Sequence, residues 1–147
     1  YGKADATPEE IARAAEIAQA SEFIAGMKDG YESIIAQGGT NLSGGQKQRL
    51  SIARALVRKP GIYILDDSFS ALDFKTDARL RAALRKETAA STVIIVAQRV
   101  GTVMDADRII VLDEGRIACM GKHRELMDSC QVYREIVSSQ LSEEEIA

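Results

Sequence analysis

The sequence predicts an α/β domain with a helical subdomain at its front. Two observations predict it. Helical patterns fill the stretch before Pro60, and from Ile62 onward strand and helix signals alternate. The run Ile62 to Leu65 is apolar at every position, as expected of a strand covered on both faces of a parallel sheet, and Thr92 to Ala97 and Arg108 to Leu112 are two further buried-strand candidates.

Each element has its own local reason. Thr7-Pro8-Glu9-Glu10 sets a capping Thr, a Pro at the first helical position and a Glu at the third, which predicts a helix over 8–20 with Ile11, Ala14, Ala15 and Ile17 or Ala18 on its buried side. A second short helix is predicted after Ser21, ending before Gly30. Residues 31–41 carry Gly38-Gly39 and read as a loop. From Ser43 or Gly44 the pattern is helical again, with Leu50, Ala53, Leu56 and Val57 on one face, until Pro60-Gly61 ends it. After the strand at Ile62 come a helix over 75–88, the strand Thr92 to Ala97, a short helix over 102–105 and the strand Arg108 to Leu112. Asp113-Glu114-Gly115-Arg116 is a turn signal, so the strand Arg116 to Met120 pairs with its predecessor as a hairpin. Helices over 122–128 and 131–141 follow, and Ser142 to Ala147 is an acidic tail expected to fray.

Composition narrows the function. With 147 residues, 46% hydrophobic content and a net charge of −3, the chain has material for one soluble domain and lacks the clustered positive excess that nucleic-acid binding needs. Lys47, Arg49, Arg54, Arg58 and Lys59 read as one solvated helix face. The two cysteines, Cys119 and Cys130, show neither CxxC nor metal-ligand spacing and are expected to be reduced thiols of a cytosolic protein. No apolar run approaches the roughly 20 residues that span a bilayer. The chain begins at Tyr1 without Met or a secretory signal pattern, so it reads as a piece and not as a natural translation start.

Two stretches carry chemistry. Leu42-Ser43-Gly44-Gly45-Gln46 opens a helix, where backbone N–H groups and a hydroxyl face outward and the glycines remove the Cβ atoms that would keep an anion away. Tyr63-Ile64-Leu65-Asp66-Asp67 runs an apolar strand into two carboxylates, at the end of a strand where open α/β sheets place their ligands. Taken alone, a Ser-Gly-Gly turn is a helix cap and an acid pair can cap the next helix.

In this order, and with Gln48-Arg49-Leu50-Ser51-Ile52-Ala53-Arg54-Ala55 continuing the first motif, the two stretches resemble the signature and Walker B motifs of an ATP-binding cassette (ABC) ATPase. The resemblance implies a P-loop NTPase fold: a helical subdomain with the signature helix over 1–60, then over 61–147 the C-terminal part of a RecA-like core. No Gly-x-x-x-x-Gly-Lys-Ser/Thr loop occurs in the chain. The phosphate loop, the aromatic that stacks on adenine and the glutamine loop are therefore expected to lie before Tyr1. The phosphate-loop strand would be missing from the sheet, leaving a gap or a raw edge.

By the same resemblance, Ser43, Gly44, Gly45 and Gln46 face ATP held on the opposite subunit, Asp66 holds Mg²⁺ directly or through water, and Ser70-Ala71-Leu72-Asp73 is the D-loop, Asp73 contacting the other subunit or capping the next helix. Two residues depart from the pattern. Asp67 stands where hydrolysing members usually carry the Glu that orients the attacking water, and Gln98, in Val96-Ala97-Gln98-Arg99, stands where they carry a switch His. Gln can hydrogen-bond but cannot titrate. Together the two suggest the degenerate half of a heterodimeric ABC exporter, working on the cytoplasmic face of the membrane beside transmembrane domains. His123, in Gly121-Lys122-His123-Arg124-Glu125-Leu126, resembles a structural element of the family. The alternatives are a non-transport ABC ATPase and a non-enzymatic interaction module that presents the signature helix in trans.

Overall fold

The capping box at Thr7 forms as the sequence requires: Thr7 Oγ1 accepts from the Glu10 amide at 3.3 Å and Glu10 Oε2 accepts from the Thr7 amide at 3.1 Å. It starts helix α1, Pro8–Ile17, in the computed structural model, which describes residues 2–140. There follow α2 (Ser21–Ala25), two 3₁₀ turns at Gly30–Glu32 and Gln37–Gly39 within the predicted loop, α3 (Gly44–Leu56), β1 (Ile62–Asp66), α4 (Phe74–Glu87) and β2 (Thr92–Val96). Beyond them come α5 (Val100–Val103), β3 (Ile109–Asp113), β4 (Arg116–Gly121), α6 (His123–Ser129) and α7 (Gln131–Ser138). Leu141 and the predicted acidic tail lie outside the described residues.

The chain divides into two compact units, one up to Val96 and one from Ala97. In the first, β1 and β2 pair in parallel, Ile62 beside Thr92 and Asp66 beside Val96, with α4 as the crossover. Its core gathers Ala14 and Ala15 of α1 with Ala18 just beyond it, Ile52 and Leu56 of α3, Tyr63 and Leu65 of β1, and Leu80 and Leu84 of α4. Small residues on α1 permit that close packing. Ile11, expected inside, is 43% exposed, and the buried residue at the centre of α3 is Ile52.

In the second unit β3 and β4 form the predicted antiparallel hairpin. Its two-residue turn is Glu114-Gly115, both at positive φ, the backbone that matches the twist of the flanking strands. Val100, Ile109, Val111, Leu126, Tyr133 and Val137 make the core of this unit.

Two expectations are corrected. β1 and β3 are covered on one face only, and in β2 only Ile95 packs against the core. Tyr63 and Leu65 are buried, whereas Ile62 and Ile64 beside Ile94 and Val96 are exposed on the other side. Ile110, Leu112, Ile117 and Met120 are likewise exposed on the hairpin. A run of apolar residues records that both faces avoid water, and the described residues supply a cover for one of them. The second correction concerns the cysteines: Cys119 of β4 and Cys130, between α6 and α7, form a disulfide. Helix α6 folds back along the hairpin and brings their Cα atoms to 6.4 Å, within bridging range, which a separation of 11 residues does not reveal.

Candidate nucleotide-binding site

Helix α3 begins with a reciprocal cap. Ser43 Oγ accepts from the Gln46 amide at 3.2 Å, and Gln46 Oε1 accepts from the Ser43 amide at 2.9 Å. Used as an acceptor, the Ser43 hydroxyl keeps its own proton to donate outward. The amides of Gly44 and Gly45 have no hydrogen-bond partner among the described residues, which leaves two donors at the positive end of a 13-residue helix. The cap thus leaves those two amides and the Ser43 hydroxyl proton available as donors.

The two glycines have a second reason that sequence alone does not display. A Cβ on Gly44 would meet Ala71 Cβ at 3.3 Å, and one on Gly45 would lie 2.9 Å from the Ala71 carbonyl oxygen. The start of α3 is pressed against the segment Ser70 to Asp73. Gln48 fastens the two together: its Nε2 donates to the Asp67 carbonyl and to Ser70 Oγ, each at 3.0 Å, and its Oε1 accepts from the Ala71 amide at 3.0 Å. Arg49 fixes the opposite side, donating to the Gln19 carbonyl at 2.6 Å and lying over the Phe23 ring, 4.8 Å from its centroid. Gln48 stood in the sequence only as part of the extended signature match; a long-range amide clamp leaves no periodic trace.

Asp66 ends β1 and Asp67 begins the turn, its amide donating to the Val96 carbonyl at 3.0 Å. Asp67 has φ +47°, the left-handed region that Asp tolerates better than most side chains, so the chain reverses sharply after the strand. Its Oδ2 lies 3.0 Å from Ser70 Oγ, folded back on its own turn. Asp73 caps α4, its Oδ1 accepting from the Thr76 amide at 2.9 Å. The hydroxyl and then the amide of Thr76 hold the Asp73 carboxyl below the usual carboxylate range.

Among the described residues no group of three or more His, Cys, Asp or Glu could enclose a metal ion. One exposed carboxylate, Asp66, with no hydrogen-bond partner among the described residues, fits instead an ion such as Mg²⁺, which keeps its waters and takes one or two carboxylates together with phosphate oxygens.

Gln98 lies in the second unit, two residues past β2, with its side chain exposed. Its carbonyl accepts from Gln140 Nε2 at 2.8 Å. Of the predicted site residues, Ser43, Gly44, Gly45, Gln46, Asp66, Asp67 and Asp73 belong to the first unit. His123 Nδ1 lies 2.8 Å from the Tyr133 hydroxyl and meets that ring edge-on in the core of the second unit.

The comparisons place this glycine-capped helix, clamped onto the turn after an Asp-ended parallel strand, in the fold of ABC ATPases. Residues 3–70 match the family model described as ABC transporter. The chain is 46% identical over 144 residues to an uncharacterized ABC transporter ATP-binding protein, YfiB, of Bacillus subtilis, a match covering 98% of this chain and 25% of that protein. It is 45% identical over 143 residues to an ATP-dependent lipid A-core flippase of Chromobacterium violaceum, covering 97% of this chain and 24% of the flippase. The structure of a bacterial Atm1-family ABC exporter with ATP bound superimposes with a TM-score of 0.92 at 38% identity, over 97% of this chain and 25% of the exporter chain. The chain is therefore a relative of the ATP-binding proteins of ABC transporters, and it spans about a quarter of the length of the relatives it matches.

Proposed function

We propose that this chain is part of the ATP-binding component of an exporter-type ABC transporter, coupling ATP binding and hydrolysis to movement of a substrate across a membrane. The observation that carries the reading is the Gln48 clamp, which makes one rigid piece of the signature start and the acid-bearing turn. In this reading residues 1–60 serve as the signature subdomain and 61–147 as the later part of the nucleotide-binding core. The ATPase part works on the cytoplasmic face, beside transmembrane domains and a second ABC subunit. No described helix is long and apolar enough to cross a membrane.

Ser43 and the amides of Gly44 and Gly45 donate to the terminal phosphate of ATP held by the partner, and Gln46 keeps the Ser43 cap in place. Asp66 would hold Mg²⁺, which when bound neutralises charge on the phosphates. Asp67 and Gln98 attend the chain's own nucleotide, where turnover is slow. Support for that asymmetry comes from Asp67 itself: its carboxylate is one methylene shorter than Glu and is engaged with Ser70, while orienting a water needs a freely reaching base. The partner is accordingly a distinct subunit with a competent site. Lacking a phosphate loop, the 147-residue polypeptide by itself binds Mg-ATP weakly.

The test is to restore both residues, Asp67→Glu and Gln98→His, in the full-length transporter and to measure hydrolysis at each composite site. Faster turnover at this chain's own site is expected. Unchanged turnover there would refute the degenerate assignment.

A further inference from the structure

Past β2 the chain turns from Gln98 into α5, a helix of four residues whose capping residue, Arg99, makes no side-chain cap bond. The first amide of that helix is satisfied from far along the chain. Val100 N–H donates to Gln140 Oε1 at 2.8 Å, and Gln140 Nε2 donates to the Gln98 carbonyl, also at 2.8 Å. One planar amide thus grips peptide groups on both sides of Arg99, using its acceptor and its donor at once. Gln140 is exposed, and its own amide donates to the Val137 carbonyl at 3.0 Å. It follows α7, whose Tyr133 and Val137 are buried, whose first residue adjoins the disulfide at Cys130, and whose Tyr133 is tied to His123.

We propose that Gln140 is a positioning residue for the switch segment. It does not touch nucleotide; it fixes the backbone from Gln98 to Val100, so that the Gln98 side chain is presented at a set angle to the terminal phosphate. This rests on Gln98 being the switch residue, as proposed above. The neutral character of Gln98 makes the placement matter. An imidazolium attracts phosphate from any direction, whereas a neutral amide acts only through hydrogen bonds, which weaken steeply as their angle closes below about 120°. A switch residue without charge depends on a backbone that does not wander.

The experiment uses the full-length protein containing this chain, with ATP and ADP competing against trinitrophenyl-ATP in Mg²⁺ buffer. Gln140→Ala is expected to lower the ratio of ATP to ADP affinity about tenfold, the scale of one or two lost hydrogen bonds, with ADP affinity within about twofold. Gln98→Ala should do the same, and the double variant no more than either alone. Gln140→Glu, which keeps the acceptor for Val100 and loses the donor to Gln98, should fall between. Amide exchange at Val100 should accelerate in Gln140→Ala while the amides of Val111 and Tyr133 stay protected, which shows that the fold persists. An unchanged ratio, or ATP and ADP weakening together, overturns the positioning role. A ratio insensitive to Gln98→Ala, with Val100 exchange still responding to Gln140→Ala, overturns the switch assignment beneath the proposal while leaving the contact intact.

Discussion

Gly45 and Ala71 approach so closely that a single added methyl on Gly45 would sit 2.9 Å from the Ala71 carbonyl oxygen. That contact by itself calls for glycine in the second position of α3.

Gly45→Ala sets two effects against each other. Ala favours an exposed helix over Gly by about 1 kcal/mol, while forcing backbone apart in a packed site costs about 1–3 kcal/mol. The obstacle here is the carbonyl oxygen of Ala71, a residue whose amide is bonded to Gln48, so the cost should win. We expect a net loss of up to about 2 kcal/mol in urea denaturation and a fall in transporter ATPase. Gain of stability would show that the turn from Ser70 to Asp73 yields freely.

The disulfide gives a second outcome. Closing the short loop between Cys119 and Cys130 should stabilise the second unit by about 2–4 kcal/mol against unfolding. Adding reductant should therefore lower its melting temperature, and Cys130→Ser should lower it equally and abolish the response to reductant. A melting curve indifferent to reductant in the unsubstituted chain would deny the bond.

Dependence on pH follows from the caps. Asp73 titrates below its ordinary value of 3.8 because Thr76 bonds its charged form, so its contribution is present above that value and is lost as acid carries the pH down through the folded value. Glu10, lowered by Lys3 and then by the Thr7 amide, behaves alike. Lys3 is raised above 10.5 by Glu10, so its share is complete below 10.5 and is lost as the pH climbs past the folded value. Stability should be flat through neutrality and fall at both extremes. In Asp73→Asn, which still caps a helix but does not titrate, the acid limb followed by circular dichroism should become shallower. An identical acid limb would remove Asp73 from the account.

Much of this was legible in the sequence, and for local reasons. Thr7 with Glu10 and the turn at Glu114-Gly115 are settled within four residues and form as expected, as does the helix start at Ser43, whose reciprocal bond with Gln46 is a finding of the structure. Asp66 at the end of β1 was readable because a strand of apolar residues cannot continue through two carboxylates. What escaped depends on contacts between distant segments. Gln48 clamping Ala71, Gln140 gripping Val100 and Cys119 meeting Cys130 are separated by 23, 40 and 11 residues, and no periodicity encodes them. Strand burial misled in a different way, since Ile62 and Ile64 record a face averse to water without naming what shields it.

The outer side of the β1–β2 pair thus presents Ile62, Ile64, Ile94 and Val96 as a continuous oily plate. Solvent is driven off such a plate by whichever apolar surface first meets it, at about 25 cal/mol for each Å² of contact. For this polypeptide, the exposed face of that strand pair is therefore the place where contact with another apolar surface would gain most.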